Sequence, residues 1–168
     1  MTDTVERFSN RVENYVKYRP HYPPAVLELF RNEMGLTPDS VIADIGSGTG
    51  ISSELFLKNG NTVYGVEPNE KMREAAEKYL SSFSNFKCIN GTAEATTLVD
   101  NSVEVVIAGQ AFHWFDLEKT KTEFKRILKP GGHIALMWNE RQLDTTPYLR
   151  EYEEFLLKYS NDYEVVRH

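Results

Sequence analysis

The stretch Val41-Ile42-Ala43-Asp44-Ile45-Gly46-Ser47-Gly48-Thr49-Gly50 decides the fold. Its first half is a short, mostly apolar run, as a parallel strand buried on both faces requires. Its second half sets glycine at every other position, so the backbone can turn tightly and approach a ligand with no Cβ in the way. Ile51, Leu55 and Phe56 then recur at helical spacing until Asn59-Gly60 ends the helix. Strand, glycine turn and helix in that order open a βαβ unit.

Outward from this stretch the alternation continues. Residues 62–67 read as a second strand, 70–79 as a helix, 85–90 as a third strand and 103–108 as a fourth, after the turn at Asn101-Ser102. Residues 117–128 read as a helix stopped by Lys129-Pro130-Gly131-Gly132, 133–138 as a fifth strand and 148–159 as a final helix. Right-handed crossovers then leave few topologies. The expected fold is α/β: a Rossmann-like, doubly wound, mostly parallel sheet with helices on both faces. In residues 1–40, Pro20, Pro23 and Pro24 split helical patterns into a preface packed on the sheet. With no internal repeat and no low-complexity linker, the 168 residues read as one domain.

Composition narrows the partners. The chain is 40% hydrophobic and 26% charged, with a net charge of −6, and its pI is about 5.3. That acidity disfavours nucleic acid, whose affinity rests on clustered Lys and Arg. The lone Cys88 excludes an internal disulfide or a multi-cysteine zinc site and reads as buried filler in a strand. The opening MTDTVERFSN is no secretory signal. No apolar run approaches the ~18 residues of a membrane span, so the expectation is a cytoplasmic protein without a membrane partner.

Open α/β sheets bind ligands beyond the carboxyl ends of their strands, where strand order reverses. A glycine-rich loop alone is compatible with NAD, FAD, S-adenosylmethionine or a plain tight turn. Asp44 adds weight, because a carboxylate inside an apolar strand is expensive unless paired. S-adenosylmethionine brings a cation to it, whereas a dinucleotide brings a negative pyrophosphate; capping of local backbone N–H groups is the structural alternative. Glu67 ends the second strand, where an acid accepts hydrogen bonds from ribose hydroxyls and repels a 2′-phosphate. Gly91-Thr92-Ala93-Glu94 follows the third strand at the next position along the same edge, with Glu94 either at the nucleobase or capping a short helix. Gln110-Ala111-Phe112-His113-Trp114-Phe115 follows the fourth strand at that edge, with Gln110 on the cofactor side.

Taken together, VIADIGSGTG, VYGVEPNE, NGTAEATTL, VEVVIAGQAFHWF and LKPGGHIALMW resemble class I S-adenosylmethionine-dependent methyltransferases. The likeness is to the type 11 methyltransferase domain, and within it to proteins similar to trans-aconitate methyltransferases, which the opening FSNRVENYVKYRPHYP also resembles. The resemblance implies that Asp44, Gly46, Ser47, Gly48, Thr49 and Gly50 hold the methionine part of the cofactor. It implies that Glu67 binds the ribose diol, with Pro68 and Asn69 beside it. The family often has Asp where this chain has Thr92; a hydroxyl serves less strongly there, and the backbone of Ala93 is the other candidate for the adenine contact.

Methyl transfer from a sulfonium is an in-line displacement, so the protein has mainly to align the acceptor and exclude water. A small-molecule carboxylate acceptor needs no base, while a hydroxyl acceptor calls for one. His113 is the candidate, as orienting group or proton acceptor. Phe112 and Trp114 would face the sulfonium or the acceptor, or cover the sheet edge as core. Tyr15, Tyr18, Arg19 and Tyr22 read as a lid in which Arg19 grips a carboxylate through its planar fork. The spacing offers no metal site.

The family fold adds a strand hairpin after the last helix, and this chain ends at His168 without one. The expectation is therefore a truncated or naturally short member whose fifth strand, around Ile134, Leu136 and Trp138, is an apolar edge that a partner subunit, the chain's own tail or self-association would cover. A non-catalytic cofactor-binding module is the second reading, and an NAD-dependent oxidoreductase the third.

Overall fold

The computed structural model describes residues 20–140, 142–161 and 163. They fall into two units, one ending at Met137 and one beginning at Trp138.

In the first unit, helix α1 (Ala25–Met34) precedes strand β1 (Val41–Ile45). Then come α2 (Ile51–Lys58), β2 (Thr62–Val66), α3 (Glu70–Tyr79), β3 (Phe86–Ile89) and β4 (Val103–Gly109). A 3₁₀ turn (Phe112–Trp114), α4 (Leu117–Ile127) and β5 (Leu128–Met137) complete it. The strands form one sheet in the order β3-β2-β1-β4-β5, and every pairing in it is parallel. Strand order reverses between β1 and β4. Asp44, near the end of β1, stands in register with Gly65 of β2 and Ile107 of β4. The deciding stretch therefore delivers its glycines at the topological switch point.

Two apolar layers sandwich the sheet. One gathers Leu27 and Phe30 of α1, Leu55 and Phe56 of α2, Leu80, and Ile42, Val63 and Ile107 from the strands. The other gathers Phe124 and Ile127 of α4, Ala93 and Leu98, and Ala43, Ile45, Val66 and Val106. Alternate strand residues thus feed opposite layers, which fixes the register of each strand and so the height at which its terminal side chains stand.

The fifth strand departs from expectation. Pro130-Gly131-Gly132 does not separate α4 from it; pairing begins at Leu128 opposite Val103, and a register shift between Val103 and Val105 absorbs the loop. A bulge accommodates proline because the displaced residue owes the ladder no donor. Along its end Ala135 and Met137 are buried while Ile134 and Leu136 are exposed, so it shows solvent an apolar face. Cys88 is half-buried rather than enclosed filler.

The second unit contains α5 (Pro147–Tyr159), with Thr146 accepting from the Leu149 amide as its N-cap. Tyr163 donates to Glu153 at 2.7 Å within this unit.

Candidate active site

The glycine loop is shaped by positive φ at Gly46 and Gly48, 68° and 55°, a region where a Cβ collides with the following carbonyl. At Gly46 a Cβ would lie 2.7 Å from Ala111 Cβ, with the Phe115 ring at 3.6 Å. This glycine is needed because the segment after β4 packs on the loop. Around Gly48 a Cβ would meet nothing within 4 Å. This glycine faces open space, as a ligand cradle does.

Asp44 is wholly buried beneath the loop. Its Oδ2 accepts from the hydroxyls of Ser52 (2.6 Å) and Ser53 (2.7 Å) in the first turn of α2. Its Oδ1 has no hydrogen-bond partner among the described residues. Burial, helped by nearby Glu67, pushes this carboxyl up to about 6, against the two serine hydroxyls that favour its charged form. Ser47 Oγ and Thr49 Oγ1 in the loop above it are likewise buried with no hydrogen-bond partner among the described residues. Each such group costs about 1–3 kcal/mol unless something fills its valence.

Glu67 is nearly buried just past β2. Its Oε2 accepts from the Gly48 amide at 3.0 Å and its Oε1 from the Asn69 amide at 2.9 Å. Desolvation raises its pKa against the lowering effect of those amides and of Arg73. The carboxylate is thus fixed to the glycine loop, and each oxygen keeps a lone pair for a further donor. Asn69 caps α3 by accepting from the Met72 amide, and Pro68 is exposed beside it. Arg73 donates to the carbonyls of Glu67 and Pro68, holding this turn from below.

After β3, Gly91 and Ala93 are buried and Thr92 is exposed. No helix follows for Glu94 to cap. Its carboxylate instead accepts from the Asp116 amide at 2.9 Å, joining this loop to the start of α4. After β4, Gln110 adopts a left-handed φ of 58°, and its amide donates to the Met137 carbonyl. Phe112 and Phe115 meet edge to face at 5.8 Å, and Phe115 continues to Phe124 of α4 at 6.4 Å. Phe115 is therefore core cover. His113 and Trp114 are exposed, their rings 4.6 Å apart. Tyr22 reaches the end of β4, where a Cβ on Gly109 would lie 2.8 Å from its hydroxyl. Tyr15, Tyr18 and Arg19 lie outside the described residues.

The structure thus brings Asp44, the loop and Glu67 together at the switch point, where an open α/β sheet has its ligand crevice, with residues 110–114 following β4 at the same sheet edge. It adds Ser52 and Ser53, which the sequence reading missed. Two hydroxyls in the first turn after a buried acid were the available signal, for the other buried residues of α2 are all apolar. Among the described residues no group of three or more His, Cys, Asp and Glu side chains could hold a metal ion, and no helix is long and apolar enough to cross a membrane.

Known proteins resemble this chain in sequence and in fold. The model of a methyltransferase domain matches residues 43–136. An uncharacterized methyltransferase of Schizosaccharomyces pombe is 32% identical over 152 residues, covering 90% of this chain and 59% of that protein. An uncharacterized methyltransferase of Mycobacterium tuberculosis is 32% identical over 151 residues, covering 89% of this chain and 58% of that protein. The chain spans about three fifths of the length of these relatives. A solved S-adenosylmethionine-dependent methyltransferase of Aquifex aeolicus shares the fold, with a TM-score of 0.63 at 22% identity over 93% of this chain and 86% of that one. With the glycine loop, both acids and the fourth strand inside the matched segment, the chain belongs to the methyltransferase domain family.

Proposed function

We propose that this chain binds S-adenosylmethionine and transfers its methyl group to a small-molecule acceptor bearing a carboxylate or hydroxyl. One observation carries the reading: a fully buried Asp44 oxygen without a partner, beneath a loop whose Gly48 amide is held by a second acid, Glu67. A cation is the partner that this oxygen lacks, and vicinal hydroxyls are the donors that Glu67 can still accept. S-adenosylmethionine has both, and when bound it supplies a methyl carbon activated by a sulfonium. Asp44, held by Ser52 and Ser53, would face the amino-acid end, and Glu67 with Pro68 and Asn69 the ribose. Ala93 and Thr92 would border the adenine.

On this reading the protein's share of the chemistry is alignment and exclusion of water. Phe112 and Trp114 would wall the acceptor's side, and His113 would orient a carboxylate acceptor or take the proton of a hydroxyl one. Gln110, in its left-handed conformation, would turn the chain from β4 toward that wall. Calorimetric titration with S-adenosylmethionine, S-adenosylhomocysteine and NAD tests the cofactor: the first two bind and NAD does not. Binding of NAD with indifference to both others would overturn the reading. Methyl release with carboxylic acids, alcohols and amines then tests the acceptor class. The same reading takes the apolar face of β5, at Ile134 and Leu136, as a place of self-association, which concentration-dependent sedimentation would detect. A monomer at all concentrations would contradict it.

A further inference from the structure

The loop between β3 and β4 is tied down by side chains that have no part in the crevice itself. Glu123 of α4 accepts from the Thr96 amide at 2.8 Å and from the Thr96 hydroxyl at 2.5 Å, both on Oε1. Arg126, one turn on, donates to both Glu123 oxygens, at 2.8 and 2.6 Å. The same guanidinium donates to the Leu98 carbonyl at 2.8 Å and to Asp100 at 2.5 Å. At the other end of α4, the Asp116 amide donates to Glu94. One helix therefore grips the loop at Glu94, Thr96, Leu98 and Asp100.

The grip holds a conformation that the chain would not keep alone. Thr97, between two gripped residues, has a φ of 63°, which costs a β-branched residue free energy unless its surroundings enforce it. Gly91 leaves no room for a side chain, since a Cβ would lie 2.8 Å from the Thr96 carbonyl oxygen. The position of Thr96 thus sets that of Gly91, Thr92 and Ala93, at the end of β3. Glu123 is nearly buried, and the Arg126 guanidinium, with Thr96, holds its carboxyl down to about 2 despite that burial. It stays a charged acceptor throughout the physiological range.

Building on the proposed cofactor reading, we infer that Glu123 and Arg126 are positioning residues for nucleobase recognition, fixing the Gly91-Thr92-Ala93 backbone through Thr96. They touch no ligand. Their effect is to hold the hydrogen-bonding edge of that backbone at one height, so that adenine is distinguished from a base with a different donor pattern.

The test compares S-adenosylhomocysteine with S-inosylhomocysteine, in which an oxo group replaces the adenine amino group, by calorimetry on the full chain. The variants are Glu123→Ala, Glu123→Gln and Thr96→Val. The unaltered protein prefers the adenine ligand. In Glu123→Ala its affinity falls by about tenfold, the scale of one lost charge-assisted hydrogen bond, and the preference over the inosine ligand narrows. Glu123→Gln, which keeps an acceptor for Thr96, restores most of the preference. Thr96→Val, close in shape to threonine, keeps the Thr96 amide bond to Glu123 but removes the hydroxyl that donates to Glu123 and accepts from the Leu98 amide, and it narrows the preference without unfolding the chain. A merely structural role would lower stability and leave the ratio of the two affinities unmoved; that ratio unchanged in both Glu123→Ala and Thr96→Val overturns the inference. Should Glu123→Ala fail to fold, the ratio in Thr96→Val decides alone. Indifference of the unaltered protein to S-adenosylhomocysteine would sink the cofactor reading, and this inference with it; binding with an unmoved ratio sinks only this inference.

Discussion

Asp44→Asn removes a charge and leaves the shape. The native carboxyl is raised from 3.8 to about 6 by complete burial. At about 1.4 kcal/mol per unit, ionised Asp44 costs the ligand-free fold on the order of 3 kcal/mol at neutral pH. Asparagine relieves that cost, and its oxygen still accepts from Ser52 and Ser53. It also buries an amide group where Oδ1 had no partner, at about 1–3 kcal/mol. The two effects nearly offset, so denaturant unfolding of the ligand-free variant should give a stability within about 2 kcal/mol of the native value. Binding has no such offset. An ammonium about 4 Å from a carboxylate at an effective dielectric of about 20 is worth about 4 kcal/mol. Calorimetry should therefore show S-adenosylhomocysteine bound about 100- to 1000-fold more weakly. Loss of more than about 4 kcal/mol of stability with unchanged affinity would refute the reasoning and make Asp44 a brace for α2.

Further predictions follow from the same crevice. Because the Asp44 carboxyl is raised in the native state, the ligand-free fold binds more protons than the unfolded chain between about pH 4 and 6, so this group's contribution makes stability rise as pH falls through that window. Cofactor affinity runs the other way, level above about pH 7 and falling by about tenfold per unit below pH 6, since the cation needs the ionised form; calorimetry across that range checks it. Ser52→Ala and Ser53→Ala each remove a hydroxyl that stabilises ionised Asp44, so affinity should drop at neutral pH and recover toward pH 8.5 or so. Gly46→Ala forces a Cβ into the left-handed region and to 2.7 Å from Ala111, and thermal unfolding should report a loss of about 2–4 kcal/mol.

The sequence made the framework legible because its strong signals are local. A buried strand, alternate glycines and a helix within 41–58 announce the switch point, and an acid at the end of the next strand announces the second anchor. What it hid depends on contacts between distant segments. Ser52 and Ser53 read as ordinary helix residues until α2 is laid over β1. Glu123 and Arg126 have the spacing of a surface i, i+3 ion pair, and nothing local says that Thr96 comes to meet them. Pro130-Gly131-Gly132 signals a stop everywhere except in a bulge, and only the pairing of Leu128 with Val103 and of His133 with Val105 shows that these residues bulge from within a strand.

The central claim is that Asp44 and Glu67 serve one ligand from two sides of the glycine loop. A crystal structure of the chain with S-adenosylhomocysteine tests it most directly. The account predicts the amino group on the Asp44 side of the loop and both ribose hydroxyls within hydrogen-bond reach of Glu67. A ligand seated elsewhere, or one whose ribose turns away from Glu67 while Asp44 Oδ1 stays without a partner, would contradict it.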